Sequence, residues 1–124
     1  MGKKILVVDD EDGTRILVAK ALEMKGHSII MACDGVEGWE KVKAERPDLV
    51  ILDVNMPRMN GIELLRKIRE DADIGSLPTI MLTSQSSDEE VLAGLSSGAD
   101  HYLTKPFSVT ALCMTVDLVC GAGQ

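Results

Sequence analysis

The feature that most constrains this chain is a fivefold alternation between short apolar runs and longer helical patterns. The predicted strands are residues 4–8, 28–33, 49–53, 78–83 and 100–103. Residues 49–52 are apolar at all four positions. Such a run is typical of a strand in a parallel sheet that helices cover on both faces.

Helical patterns fill the intervals between these runs. The predicted helices are residues 12–25, 35–45, 61–71, 88–97 and 108–120. The expected buried face of the first helix consists of Leu17, Val18, Ala21 and Leu22. Gly26 marks the end of that helix. Because strands and helices alternate at this spacing, the sequence predicts right-handed βαβ units and an α/β, doubly wound (βα)5 fold with a five-stranded parallel sheet.

Length and composition favour one domain and exclude a membrane-spanning chain. With 124 residues and 45% hydrophobic content, we expect a single domain over residues 1–124 and no output domain. The apolar runs 5–8 and 49–52 close on aspartates after four residues, too soon for a membrane span or a signal peptide. Three cysteines without a C-x-x-C spacing indicate reduced thiols and a cytoplasmic location. We expect the first of them, Cys33, to be a small core residue.

The charge is unevenly distributed along the chain. Residues 1–69 hold twelve basic and twelve acidic side chains, whereas residues 70–124 hold eight acidic side chains and one basic one, Lys105. The second part therefore carries the whole net charge of −7. A nucleic-acid-binding domain needs a basic stripe, so direct binding of nucleic acid is excluded as a main activity.

Polar residues whose side chains can bind ligands or react lie where the predicted strands end. In chain order they are Asp9, Asp10, Asp53, Thr83 and Lys105. Each one alone could be a helix cap, a turn former or a solvated cation. Ligands of open parallel sheets bind outside the carboxyl ends of the strands, however, so this conjunction predicts a site at that edge.

Three neighbouring carboxylates need compensating charge. Two unit charges about 4 Å apart repel by roughly 4 kcal/mol at an effective dielectric constant near 20. Lys105 is one remedy, and a bound Mg²⁺, which prefers hard oxygen ligands, is another. With Thr83 and Lys105 as donors to an anion, the expected site holds Mg²⁺ and a phosphoryl group, as in phosphoryl transfer.

Short motifs in this chain resemble those of bacterial two-component response-regulator receiver domains. They are residues 7–11 (VVDDE), 52–57 (LDVNMP), Gly61, 83–84 (TS), 98–100 (GAD) and 102–107 (YLTKPF). The resemblance spans essentially the whole chain. It implies the flavodoxin-like strand order 2-1-3-4-5 and a single phospho-acceptor domain.

The resemblance implies a phosphorylation-operated switch in a phosphorelay, not a conventional turnover enzyme. Asp53 would accept a phosphoryl group from a sensor histidine kinase or a histidine phosphotransfer protein. Asp9, Asp10, Asp53 and the backbone carbonyl of Asn55 would hold Mg²⁺. Asn55 and Gln85, two places after the acceptor and after Thr83, would tune the lifetime of the aspartyl phosphate.

Further roles implied by the resemblance concern the phosphoryl oxygens and the switch. Thr83, Lys105 and the backbone N–H of Ser84 would bind those oxygens. Tyr102 would turn inward when Thr83 moves toward the phosphoryl group. The peptide bond between Lys105 and Pro106 would be cis.

The implied output surface is formed by the fifth predicted strand (residues 100–103) and the fourth and fifth predicted helices (residues 88–97 and 108–120). A downstream protein or output domain would bind there, and a homodimer through this surface is a further possibility. The fifth predicted helix departs from the family because it carries no Lys or Arg, and Asp117 is its only charge. Helical spacing places Leu112, Val116 and Val119 toward the core, and Met114, Leu118 and one of Cys113 and Cys120 toward solvent.

Other function classes fit the sequence less well. A Mg²⁺-dependent aspartyl phosphatase of the haloacid-dehalogenase type needs an acid two residues after its nucleophile, where this chain has Asn55. A phosphorylation-independent pseudo-receiver is disfavoured because none of the motif residues is missing. An FMN-binding domain of similar fold needs a polar phosphate loop after the first strand, where the acidic residues 9–12 would repel a phosphate.

Overall fold

The five strands form one parallel sheet in the order β2-β1-β3-β4-β5. The structure is a computed structural model that describes residues 2–54, 56, 58–83 and 98–120. The strands are β1 (Lys4–Val8), β2 (Ser28–Ala32), β3 (Leu49–Asp53), β4 (Thr79–Thr83) and β5 (His101–Thr104). Both the five-stranded parallel sheet and the strand order implied by the resemblance are confirmed.

Four helices lie within the described residues. They are α1 (Asp12–Glu23), α2 (Gly35–Glu45), α3 (Gly61–Glu70) and α4 (Val109–Cys120). The fifth predicted helix is α4 here, because the fourth predicted helix, residues 88–97, lies outside the described residues. In the described part of the chain, no helix is long and apolar enough to cross a membrane.

The strand register aligns the carboxyl ends of the strands along one edge of the sheet. Val8 of β1 is paired with Ala32 of β2 and with Leu52 of β3. Asp53 is paired with Leu82, one residue before the end of β4. The residues that follow the strands are therefore brought to a common edge, as the sequence predicts.

Alternate residues of each strand face two separate cores. Ile5 and Val7 of β1 belong to the cluster under α1 and α4. Leu6 and Val8 belong to the cluster under α2 and α3. All four side chains are fully buried, so β1 is covered on both faces.

Two expectations about apolar residues in the first half of the chain are wrong. Leu17 is 46% exposed, because the buried stripe of α1 follows Val18, Ala21 and Leu22 and leaves Leu17 beside it. Cys33 is exposed, since β2 ends at Ala32 and the chain then turns into the start of α2.

The exposed face of α4 largely follows the sequence pattern. Leu112 and Val116 are buried, whereas Met114 and Leu118 are 66% and 67% exposed. Val119, Cys113 and Cys120 are partly buried and contact the core. The expectation that one of the two cysteines faces solvent is therefore wrong.

Arg69 of α3 secures the amino edge of the sheet, opposite the strand ends that carry the candidate residues. Its guanidinium group donates to three backbone carbonyls, one hydroxyl and one carboxylate. The acceptors are Gly75 O (3.1 Å), Leu77 O (2.6 Å), Gly98 O (2.9 Å), Thr79 Oγ1 (3.0 Å) and Asp100 Oδ2 (3.1 Å). This single side chain thus connects α3 to the segments that begin β4 and β5.

Candidate phosphoryl-transfer site

Four of the candidate residues lie at the carboxyl edge of the sheet. Asp9 directly follows β1, and its N–H donates to the carbonyl of Ala32 at 3.1 Å. Asp53 and Thr83 are the last residues of β3 and β4. Lys105 follows β5, and its N–H donates to the carbonyl of Thr83 at 2.6 Å.

The ammonium group of Lys105 lies among three carboxylates. Its Nζ is 3.0 Å from Oδ2 of Asp9, 3.1 Å from Oδ2 of Asp53 and 2.9 Å from Oε1 of Glu11. Asp9 is fully buried and Asp53 is 3% exposed, so two of these charges are shielded from water. One cation cannot neutralise three anions, and the site keeps an excess of negative charge.

The pKa of Lys105 reflects two opposed influences. Burial alone would lower this pKa. Its hydrogen bond to Glu11, its ion pair with Asp9 and the nearby charge of Asp53 outweigh that effect and hold the pKa well above the ordinary 10.5. The same contact lowers the pKa of Glu11 below its usual 4.5. Lys105 is therefore a permanent cation, and Glu11 a permanent anion, at neutral pH.

Glu11 is a site residue to which the sequence analysis assigns no role. Its only sequence signal is its position directly after the two aspartates at the end of the first strand. Its N–H donates to Oδ1 of Asp9 at 2.9 Å while its carboxylate reaches Lys105. Glu11 therefore orients both a buried carboxylate and the cation of the site.

Asp9, Asp10 and Asp53 form a group that suits a divalent cation. Each offers a carboxylate oxygen, and these three oxygens lie within 4.8 Å of one another. Oδ2 of Asp9 is buried and forms an ion pair with Lys105, but it accepts no hydrogen bond from the part of the chain that the structure describes. A set of hard oxygens with such an unsatisfied acceptor fits Mg²⁺. The fourth expected ligand, Asn55, lies outside the described residues.

Thr83 presents a second unsatisfied polar atom at this edge. Its side chain is 1% exposed, and Oγ1 has no hydrogen-bond partner among the described residues. Buried hydroxyl groups are nearly always hydrogen-bonded, so this atom is available to an acceptor that enters the site. Ser84 and Gln85, which follow it, lie outside the described residues.

Tyr102 lies on β5, beside the edge rather than in it. It is partly buried and packs against the core under α2 and α3, and in the sheet it is paired with Met81. The peptide bond between Lys105 and Pro106 is cis, as the resemblance implies.

Gly61 allows the loop after β3 to return close to Asp53. An ideal Cβ at Gly61 would lie 2.1 Å from the carbonyl oxygen of Asp53, a distance that no side chain tolerates. The N–H of Gly61 also donates to the carbonyl of Val54 at 2.9 Å. Only glycine permits this packing of the start of α3 against the candidate phospho-acceptor.

Comparisons with known proteins agree with the geometry. Residues 5–117 match the family model of the response regulator receiver domain. The response regulator MprA of Mycobacterium bovis (strain ATCC BAA-935 / AF2122/97) is 43% identical over 112 residues, which cover 90% of this chain and 48% of the relative. MprA of Mycobacterium avium (strain 104) is 43% identical over 109 residues, covering 88% and 47%. The chain thus spans about half the length of these curated relatives.

Experimental structures extend this similarity to the whole fold. A putative response regulator from Chloroflexus aurantiacus J-10-fl superposes with a TM-score of 0.94 at 30% identity, covering 98% of this chain and 99% of that one. The chemotaxis response regulator CheY4 of Vibrio cholerae superposes with a TM-score of 0.91 at 35% identity, covering 96% and 99%. On the family match, the sheet order and these neighbours together, the chain belongs to the response regulator receiver domain family.

Proposed function

We propose that this chain is a phosphorylation-operated switch that receives a phosphoryl group on Asp53. The observation that carries the proposal is the position of Lys105 Nζ, within 3.1 Å of both buried carboxylates, Asp9 and Asp53, at the carboxyl edge of the sheet. A buried excess of negative charge with an unsatisfied hydroxyl beside it suits a site completed by a metal and an anion.

In the proposed reaction, a carboxylate oxygen of Asp53 attacks the phosphorus of a phosphohistidine. The new O–P bond forms as the P–N bond breaks, and the histidine nitrogen keeps the electron pair and takes up a proton. Asp9, Asp10 and the carbonyl of Asn55 would hold Mg²⁺ together with Asp53. When bound, Mg²⁺ supplies positive charge that shields the attacking carboxylate from the anionic donor.

The donors of the chain would then stabilise the phosphorylated form. Lys105 transfers its contact from the carboxylate of Asp53 to a phosphoryl oxygen, and Thr83 Oγ1 gains the acceptor it lacks. The N–H of Ser84 provides a third contact. These contacts exist only in the phosphorylated state, and only such differential contacts can shift a conformational equilibrium. Tyr102 turns inward as Thr83 moves.

Mass spectrometry tests this proposal directly. Incubating the protein with acetyl phosphate and Mg²⁺ should add one phosphoryl group, and the Asp53→Asn variant should acquire none. Asp73→Asn, which removes an exposed carboxylate near the amino edge, is the matched control and should be phosphorylated like the parent. Absence of a Mg²⁺-dependent adduct in the parent would contradict the proposal and favour a pseudo-receiver.

The proposed donor is a sensor histidine kinase or a histidine phosphotransfer protein. The proposed output surface is formed by the fourth predicted helix (residues 88–97, outside the described residues), β5 and α4. A shallow groove there is lined by His101, Met114, Thr115, Asp117 and Leu118. Because Met114 and Leu118 are apolar and α4 has no basic residue, the downstream partner should present an apolar contact with a Lys or Arg rim.

A substitution on α4 tests the output surface separately. Leu118→Glu should disrupt partner binding or self-association without changing phosphorylation of Asp53. Asp117→Asn should not weaken the apolar part of partner binding. It should reduce the electrostatic attraction to a basic rim on the partner. A Leu118→Glu protein that binds its partner and sediments like the parent would assign the contact to another face.

The lifetime of the aspartyl phosphate is proposed to depend on Asn55 and Gln85. Carboxamides at these positions can orient a water molecule but cannot deprotonate it, so self-dephosphorylation should be of moderate speed. Asn55→Lys should slow the decay by blocking water. If Asn55→Lys and Gln85→Ala both decay at the parental rate, this part of the proposal is wrong.

A further inference from the structure

The loop between β3 and α3 is tied to the start of α2 by one buried carboxylate. Asp34 is 8% exposed; its Oδ1 accepts a hydrogen bond from Nη2 of Arg58 at 3.2 Å, and its Oδ2 lies 3.1 Å from Nε of Arg58 as an ion pair. The same carboxylate caps α2, because Oδ1 also accepts from the N–H of Glu37 at 2.8 Å. Asp34 therefore connects two segments that are 24 residues apart.

Arg58 occupies a backbone conformation that side chains disfavour. Its φ is 69°, in the left-handed region, where glycine or asparagine fits with less strain. Glycine could make the turn but could not make the ion pair. The planar guanidinium group of Arg58 makes two parallel contacts with Asp34, a geometry that fixes orientation as well as distance.

Two glycines allow the backbone of the same loop to lie in close contact with neighbouring segments. An ideal Cβ at Gly35 would lie 2.1 Å from the carbonyl oxygen of Met59, so the loop backbone rests directly on the first residue of α2. An equally close approach joins Gly61 to the carbonyl of Asp53. The loop is thus fixed at its far end against the phospho-acceptor and near its middle against α2.

We propose that Asp34 and Arg58 are positioning residues for the phosphoryl-transfer site. They act through the loop that carries Asn55, and the inference rests on the proposed function because that function assigns the carbonyl of Asn55 to Mg²⁺. The ion pair restricts the positions of the loop before the metal binds. Metal binding then requires less ordering of the backbone and is correspondingly tighter.

The test compares metal affinity in three variants of the full chain. Asp34→Asn keeps a capping side chain but removes the charge, and Arg58→Asn tolerates the left-handed φ but removes the guanidinium group. Each should weaken Mg²⁺ binding about tenfold in isothermal titration calorimetry. The double variant should lose no more than either single variant, because both remove the same contact.

Arg46→Asn provides the matched control. Arg46 is also an arginine in the left-handed region, with φ 51°, but it ends α2 at the opposite end of the helix. Its replacement should leave Mg²⁺ affinity unchanged. A second measurement needs no metal: amide hydrogen exchange at residues 58–60 should accelerate equally in Asp34→Asn and Arg58→Asn.

The outcomes separate this inference from the function on which it rests. If the parent protein binds Mg²⁺ and is phosphorylated on Asp53, unchanged Mg²⁺ affinity in both single variants overturns the positioning role alone. Effects that add in the double variant overturn it as well, because the two residues then act independently. A parent protein that neither binds Mg²⁺ nor is phosphorylated overturns the proposed function and, with it, the inference.

Discussion

Each edge of the sheet has one basic side chain among several acceptors. The two edges differ in whether the positive charge matches the negative charge around it. At the amino edge, Arg69 donates to five acceptors of which only Asp100 is charged, so donors and acceptors match. At the carboxyl edge, Lys105 faces the carboxylates of Asp9, Glu11 and Asp53. Asp10 adds a fourth negative charge to that group.

This difference distinguishes a structural cluster from a binding site. All five N–H groups of the Arg69 guanidinium have acceptors within the protein. The carboxyl edge has excess negative charge and, among the described residues, a buried atom without a hydrogen-bond partner, Thr83 Oγ1. Buried polar atoms left without partners are costly, and the cost is relieved only when a ligand provides them.

The largest expected effect concerns stability at the amino edge. Arg69→Ala should lower the free energy of unfolding by about 3 kcal/mol, because three backbone carbonyls, one hydroxyl and the carboxylate of Asp100 all lose their donor. Urea denaturation without Mg²⁺ measures this loss. Arg66→Ala, which removes an exposed arginine from the same helix, is the control and should have little effect. If both variants lose the same free energy of unfolding, the hydrogen bonds of Arg69 do not contribute specifically to stability.

Mg²⁺ should raise the free energy of unfolding of the protein by binding at the carboxyl edge and not at the amino edge. At a free concentration about one hundred times its dissociation constant, a ligand of the folded state adds about 2.7 kcal/mol to the free energy of unfolding. The parent and Arg69→Ala should gain equally, whereas Asp9→Asn should gain much less. Thermal melts with and without Mg²⁺ provide the comparison, and a loss of the gain in Arg69→Ala would contradict the separation of the two edges.

Neutralising one carboxylate at each edge should have effects of opposite sign in the absence of metal. Asp100→Asn should lower the free energy of unfolding by about 1 kcal/mol, since it removes the charged partner of Arg69 and weakens the acceptor of the Thr79 N–H. Asp10→Asn should raise it by about 0.5 kcal/mol because it relieves repulsion at a solvent-exposed position. A decrease in the Asp10→Asn protein would instead give Asp10 a packing or capping role.

The sequence predicts the candidate site well where the topology alone determines it. Asp9, Asp53, Thr83 and Lys105 each follow or end a strand, and in-register parallel strands must bring such residues to one edge. The apolar runs of β1 and β3 are buried on both faces, so their bounds follow from the residues themselves.

The features that the sequence does not predict depend on the orientation of a helix on the sheet or on the course of a loop, and no local sequence pattern encodes either. Leu17 is as apolar as Leu22, and only the orientation of α1 on the sheet decides which of the two is buried. The contact of Glu11 with Lys105 joins residues 94 positions apart, and that of Arg58 with Asp34 requires a left-handed turn at an arginine. Neither contact has a periodic signature, because each depends on the path of a loop.

An effect as small as that of Asp10→Asn is expected at Asp34, a carboxylate that lies at the carboxyl edge but has donors on both oxygens. Its pKa is held below the ordinary 3.8, first by the hydrogen bond from the N–H of Glu37, against the opposing effect of burial, and further by Arg58. A lowered pKa in the folded state stabilises the protein above pH 3.8, and that contribution is lost as the pH falls through the folded-state pKa.

Asp34→Asn should therefore lower the free energy of unfolding at pH 7 by about 0.5 kcal/mol, a small value because the Arg58 side chain is largely exposed. In urea denaturation, the difference from the parent should shrink toward zero as the pH falls from 3.8 through the folded-state pKa of Asp34, because the parental carboxylate then takes up its proton. Asp10→Asn, at the same edge, should differ from the parent in the opposite direction at pH 7. If Asp34→Asn also stabilises the protein at pH 7, then position at the carboxyl edge, not the balance of donors and acceptors, determines how a carboxylate contributes to stability.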